Sequence, residues 1–206
     1  MAYSLTVGVL TRGQVSAEWA FAFRKIVLPE GTDFVKIPGL PFDHARNEIA
    51  KRAIVNGSDW LLFIDDDVIV PPDAYLQMTA WNKPIVSGLY YKRQGKIVPT
   101  AYRESATGPA PIPKVAAPDL VDFVGGGCLL IHRSVLEKVK YPWFKWTIND
   151  ESLKPHDRLG EDFNFCRKAR QAGYEILLDT TVRCRHIGEG WADESGKFSP
   201  LPSPEV

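Results

Sequence analysis

Apolar and polar positions fall along this chain in short runs that predict alternating strands and helices. Leu5–Leu10, with Val7 and Val9 in alternation, predicts a strand that runs into a loop at Thr11-Arg12-Gly13. Ser16 predicts an N-cap, and Trp19, Ala20 and Phe23 at helical spacing predict a helix to about Val27. Asp33–Ile37 reads as a second strand, and Asp43 opens a helix that Asn56-Gly57 stops. Trp60–Ile64 is almost wholly apolar and of strand length, the pattern of a central parallel strand covered on both faces. It ends directly in Asp65-Asp66-Asp67. Strand, helix, strand, helix, strand implies a doubly wound α/β sheet with ligands beyond the carboxyl ends of its strands, where the acidic triplet lies.

Farther on, Pro72-Asp73 starts a helix to about Trp81, Ile85–Tyr91 predicts a strand, and Lys96–Arg103 predicts a hairpin arm. Ser105–Pro118, rich in Pro, Ala and Gly, reads as a loop. Leu120–Val124 and Cys128–Ile131 are expected strands on either side of Gly125-Gly126-Gly127, and Ser134 begins a short helix. Trp143 to about Gly160 is expected to be irregular, Glu161–Ala172 helical, and Ile176–Leu178 and Val182–Cys184 strands. The expected organisation is one domain over 1–188 and an irregular, proline-containing tail over 189–206.

Composition narrows the class. A chain of 206 residues, 45% hydrophobic and 24% charged, suits one folded domain and therefore one site. Lys+Arg and Asp+Glu balance at 25 each, so no global positive field argues for nucleic acid, although a modified-nucleotide acceptor stays open. Cys128, Cys166 and Cys184 lack paired spacing and read as reduced core thiols. With no signal segment and no apolar run of membrane length, the expected compartment is the cytoplasm.

Three consecutive carboxylates at the end of a buried strand repel one another unless a cation sits among them. In extended backbone Asp65 and Asp67 face one side and Asp66 another, and oxygen ligands select a hard ion, Mn²⁺ or Mg²⁺. A solvated acidic turn or a helix N-cap is the alternative reading of the triplet. Gly160-Glu161-Asp162 is an acidic helix start that can also aim a carboxylate into a cleft. Thr11, Arg12 and Gly13 follow the first strand, where such sheets hold a nucleotide. Arg46 offers a planar fork for phosphate or base and Asn47 hydrogen-bonds nearby, or Arg46 is a solvated helix residue. Gly126 and Gly127 let backbone approach a ligand, or form a bulge. Trp143, Phe144 and Trp146 are sugar platforms or a core plug. His156 and Asp157 lie in the same irregular segment.

The apolar strand with Asp65-Asp66-Asp67 resembles the D-x-D element of GT-A glycosyltransferases, family 2 especially. Ala45-Arg46-Asn47 upstream, Gly160-Glu161-Asp162 with Phe163 and Phe165 downstream, and Val182–Gly188 with His186 extend the resemblance over about Leu5 to Gly188. It implies a GT-A fold: a single Rossmann-like domain with a central, mainly parallel sheet. It also implies a nucleoside-diphosphate-sugar donor and a hydroxyl acceptor that the sequence does not identify. Asp67 and His186 would bind the metal, and Asp65 would contact it through water or touch the donor ribose. Asp66 would lie at the nucleotide. Asp162 would be the base of an inverting attack, with Glu161 orienting the acceptor or the loop. A nucleotidyltransferase that makes nucleotide sugars and a non-catalytic binding module of the same fold are the alternatives, but Thr11-Arg12-Gly13-Gln14 is a poor phosphate loop for the former.

Overall fold

The computed structural model describes residues 4–38, 40–93, 97–188, 190–192 and 198–200. β1 (Leu5–Thr11), α1 (Ala17–Phe23), β2 (Asp33–Pro38), α2 (Phe42–Val55) and β3 (Trp60–Asp65) follow in the order the hydrophobic pattern predicts. Next come β4 (Val68–Ile69), α3 (Ala74–Ala80), β5 (Ile85–Leu89), β6 (Ala101–Arg103), β7 (Ala110–Pro111), β8 (Asp119–Val121), β9 (Phe123–Val124), β10 (Cys128–His132) and α4 (Arg133–Lys138). A 3-10 turn (Pro155–Asp157), α5 (Glu161–Gln171), β11 (Ile176–Arg183), β12 (Arg185–Ile187), β13 (Gly190–Ala192) and β14 (Phe198–Pro200) complete the order.

The main sheet has seven strands in the order β2-β1-β3-β10-β5-β11-β8. β1, β2, β3, β5 and β11 run one way, while β10 and β8 run against them. The sheet is thus mainly parallel, in an α/β fold. β3 shows why its run is apolar throughout. Leu61 and Phe63 enter one core cluster with Ile49, Leu129 and Phe165, whereas Trp60, Leu62 and Ile64 enter the other with Trp19, Met78 and Val182. Side chains alternate across a strand, so helices on both faces require apolar residues at every position.

The antiparallel β10 matters most for the site. Because it starts where β3 ends, with Cys128 opposite Ile64, the three glycines before it lie at the carboxyl edge of β3. The Asp65 amide donates to Gly127 O at 3.1 Å across that edge.

Several expected boundaries move. α1 stops at Phe23, short of Val27, because the Val27 amide donates to Pro72 O at 2.7 Å instead of continuing the helix. Leu120–Val124 is two strands: β8 edges the main sheet on β11, and β9 pairs with β6. The switch occurs at Asp122, whose amide donates to Tyr102 O and whose carboxylate accepts from the Glu104 amide. Ile176–Leu178 and Val182–Cys184 merge largely into β11, which is irregular between Asp179 and Arg183. Lys96, the first residue of the expected hairpin arm, lies outside the described residues, and β6 begins at Ala101.

The tail expected to be irregular is not wholly so. β13 and β14 extend a second sheet of order β14-β13-β12-β4, because β12 presents a free edge to which the following backbone adds. All three cysteines are buried free thiols. Among the described residues no helix is long and apolar enough to cross a membrane.

Candidate active site

A cavity of about 950 Å³ opens at the carboxyl edge of the sheet, lined among others by Arg12, Asp67, Arg93, Trp146, Asp162 and His186. Its floor is a buried charge cluster around Arg46. This side chain, 3% exposed, donates from Nη2 to both Asp65 oxygens at 3.1 and 3.0 Å, from Nε to Glu161 Oε1 at 3.3 Å, and from Nη1 to Gly126 O at 3.2 Å. Its guanidinium also lies 5.1 Å over the Phe63 ring. Burial alone would lower the Arg46 pKa, but the Asp65 and Glu161 carboxylates outweigh it and raise it.

The fork expected at phosphate is therefore spent on protein acceptors, and a solvated Arg46 is equally ruled out. Asn47 likewise turns inward, donating to Asp43 O and Phe144 O and accepting from the Phe144 amide at 3.1 Å. It braces the aromatic segment on α2 and does not line the cavity. Glu161 lines the cavity but is buried and paired with Arg46.

The same cluster explains the glycines. A Cβ at Gly126 would lie 2.5 Å from the Arg46 guanidinium carbon, and one at Gly125 would strike the Tyr90 hydroxyl. A Cβ at Gly127 would meet Val68 Cγ2 at 2.8 Å, and its amide donates to Tyr90 Oη at 2.9 Å. Gly126 lines the cavity and Gly127 does not, so close approach of protein side chains, more than of a ligand, requires glycine here.

The acidic triplet splits three ways, and Asp65 and Asp67 do not share one side as extended backbone would require, because β3 ends at Asp65 and Asp66-Asp67 turn into β4. Asp65 faces Arg46; burial raises its pKa against the pull of that arginine. Asp66 Oδ2 accepts from the Arg12 amide at 3.2 Å and so holds the loop after β1. In that loop Thr11 Oγ1 accepts from the Gly13 amide, and Gly13 takes a φ of 104° that favours glycine. Arg12 alone of these three lines the cavity.

Asp67 points toward β12. Its Oδ1 lies 3.6 Å from His186 Nε2, and its Oδ2 pairs with Arg93 Nη1 at 2.7 Å. His186 Nδ1 is 2.8 Å from Tyr91 O, so Nδ1 carries the proton and Nε2 faces the carboxylate. Burial would raise the Asp67 pKa, but His186 and Arg93 outweigh it and lower it. Among the described residues no three His, Cys, Asp or Glu side chains converge as a complete metal site.

Across the cavity α5 begins at Gly160. Asp162 Oδ1 accepts from the Phe163 amide at 2.8 Å and Oδ2 from the Gly126 amide at 3.3 Å. Burial, reinforced by Glu161, pushes its carboxyl up to about 7 against the opposing effect of Arg46. Helix start and cleft-facing carboxylate are thus one feature.

The aromatic segment divides. Trp143 and Phe144 are core, with Trp143 Nε1 bonded to Leu136 O at 2.7 Å and Phe144 stacked on Phe165. Trp146 is 46% exposed and lines the cavity beside Gly160. His156 and Asp157 lie on a separate depression with Arg167 and Arg170. Tyr90 and Arg93 are functional candidates that sequence reasoning passed over. Both follow β5, and the rule that places ligands beyond strand carboxyl ends points to them as it does to Asp65.

No family model and no curated protein matches the chain by sequence. Its fold does match solved structures. A197 from STIV superposes with a TM-score of 0.72 at 18% identity, over 98% of this chain and 96% of that one. S. aureus TarS 1-349, solved in complex with UDP-GlcNAc, superposes with a TM-score of 0.53 at 12% identity, over 86% of this chain and 56% of that one.

Proposed function

We propose that this chain is a metal-dependent glycosyltransferase that moves a sugar, with inversion, from a nucleoside diphosphate to a hydroxyl acceptor. The observation that carries the reading is one cavity with Asp67 and His186 on one wall and Asp162 on another. Asp67 and His186 fit a divalent cation. Asp67 Oδ1 and His186 Nε2 face each other at 3.6 Å, wider than a hydrogen bond, and offer one carboxylate oxygen and one imidazole nitrogen to such an ion. The histidine is held through its other nitrogen by a backbone carbonyl, as metal-bound histidines are. Mn²⁺ or Mg²⁺ takes one or two carboxylates and fills its remaining positions with phosphate oxygens and water. Bound there, such an ion neutralises charge developing on the leaving diphosphate.

The chain's own residues do the rest. Arg12 and the loop after β1 would face the nucleotide, and Asp65, held by Arg46, would touch the ribose. Asp162, fixed by two backbone amides, takes the proton of the acceptor hydroxyl as that oxygen attacks the anomeric carbon. TarS, solved with UDP-GlcNAc, supports a nucleotide sugar as donor.

Calorimetry of ADP, CDP, GDP and UDP with Mn²⁺ or with EDTA tests the donor half. Binding is expected only with metal, and Asp67→Ala should lose this metal-dependent binding more completely than Asp66→Ala. Equal affinity in EDTA overturns the metal reading. Product analysis tests the class, since release of pyrophosphate instead of nucleoside diphosphate would make the chain a nucleotidyltransferase.

A further inference from the structure

Arg93 lies four residues past the end of β5, on the cavity wall. One of its nitrogens, Nη1, sits 2.7 Å from Asp67 Oδ2 and 2.7 Å from Ile187 O. The other oxygen of the same carboxylate faces His186 Nε2. A single carboxylate is therefore shared between a guanidinium and the imidazole with which it would hold a cation. Guanidinium and divalent ion compete for one negative charge. The pair is open to water, with Arg93 32% and Asp67 28% exposed, and pairs of this kind are weak.

We propose that Arg93 is an exchangeable counter-ion. In the free protein it neutralises Asp67; when a divalent ion takes that carboxylate, Arg93 is released and its planar fork binds the donor diphosphate beside the ion. This rests on the assignment of Asp67 and His186 to the metal. Arg93 then opposes binding of the ion alone and favours binding of ion and diphosphate together, so the two ligands bind cooperatively. The flexible side chain needs no movement of the fold, because its two partners lie at the cavity edge.

The test is Arg93→Gln, which keeps much of the reach and removes the charge. Calorimetry with Mn²⁺ alone should give affinity about two- to fivefold tighter than wild type, the effect of losing an exposed ion-pair competitor. With Mn²⁺ saturating, the tightest of ADP, CDP, GDP and UDP should bind about tenfold or more weaker, as expected on losing a charge-assisted hydrogen bond. Arg93→Lys should still compete with Mn²⁺ but recover only part of the diphosphate affinity. Weaker binding of Mn²⁺ alone to Arg93→Gln would overturn the proposal and make Arg93 a brace for Asp67. So would unchanged diphosphate affinity. A wild-type protein that binds no Mn²⁺ overturns the metal assignment itself, a result distinct from either.

Discussion

Two arginines pair with the two outer aspartates of one acidic triplet, and their surroundings give them opposite parts. Arg46, on α2, is 3% exposed and reaches Asp65, Glu161 and Gly126 O. Arg93, after β5, is 32% exposed and reaches Asp67 and Ile187 O. Removing one partner from a buried ion cluster strands the remaining charges in a poor solvent, whereas an exposed pair exchanges one partner for water at little cost. The triplet thus has a fixed end, tied to the start of α5, and a free end, open to ligands. On the proposed function, the fixed end would hold the base still and the free end would admit the charged donor.

The largest expected effect breaks the fixed end. Arg46→Ala leaves Asp65 and Glu161 facing each other without a counter-charge, and urea unfolding should show a loss of about 3–5 kcal/mol. Arg93→Ala should stay within about 1 kcal/mol of wild type in the same measurement. Equal losses in the two variants would erase the contrast.

Asp162→Asn probes the fixed end without unfolding it. The amide keeps the shape but cannot accept a proton, so transfer should fall about 10²-fold or more while diphosphate affinity, read by calorimetry, is retained. The pH profile carries a second sign. Only the unprotonated base works, and with the carboxyl pushed up to about 7, kcat/KM should rise with pH and level off above that value. An acid limb near pH 4 would mean that the group governing the rate is not Asp162. A product with the donor's anomeric configuration would remove the inverting mechanism.

Much of the fixed end was legible by residue but not by partner. The run Trp60–Ile64 followed by three aspartates announces a central strand and its ligand edge, because two-sided burial leaves a continuous apolar signature. Gly160-Glu161-Asp162 announces a helix start. What joins them is non-local. Arg46 meets Glu161 115 positions away, and although Ile49, Ala50 and Ala53 at helical spacing set it on the apolar face of α2, nothing local names its partner. The glycines at 125–127 were visible, yet their reason lies in Arg46 and Tyr90, which pack where their Cβ atoms would be. The insertion of β10 between β3 and β5 was hidden too, since an apolar run does not record its direction. Arg93 went unread because a single arginine after a strand carries no pattern; only its distance to Asp67 distinguishes it.

The smallest expected effect extends the contrast of fixed and free to two tryptophans of one segment. Trp143 is 7% exposed and its indole nitrogen is bonded to Leu136 O, whereas Trp146, three residues on, is 46% exposed on the cavity. A Cβ built at Gly160 would lie 3.1 Å from Asp162 Oδ1 and 3.8 Å from Trp146 Cζ3, so the exposed indole edge flanks the proposed base. On the proposed function, an aromatic ring beside the base would stack on the sugar ring whose hydroxyl reaches Asp162. Trp146→Ala should therefore raise KM for a sugar acceptor about two- to tenfold, the range of one lost stacking contact, with stability and donor affinity unchanged. Trp146→Phe should recover most of the loss. Trp143→Ala should instead destabilise the fold by about 3–5 kcal/mol and act on transfer only through folding. A Trp146→Ala variant with wild-type KM for every sugar acceptor tried, methyl glycosides included, would assign the exposed indole to something other than the acceptor and leave Asp162 to select its hydroxyl unaided.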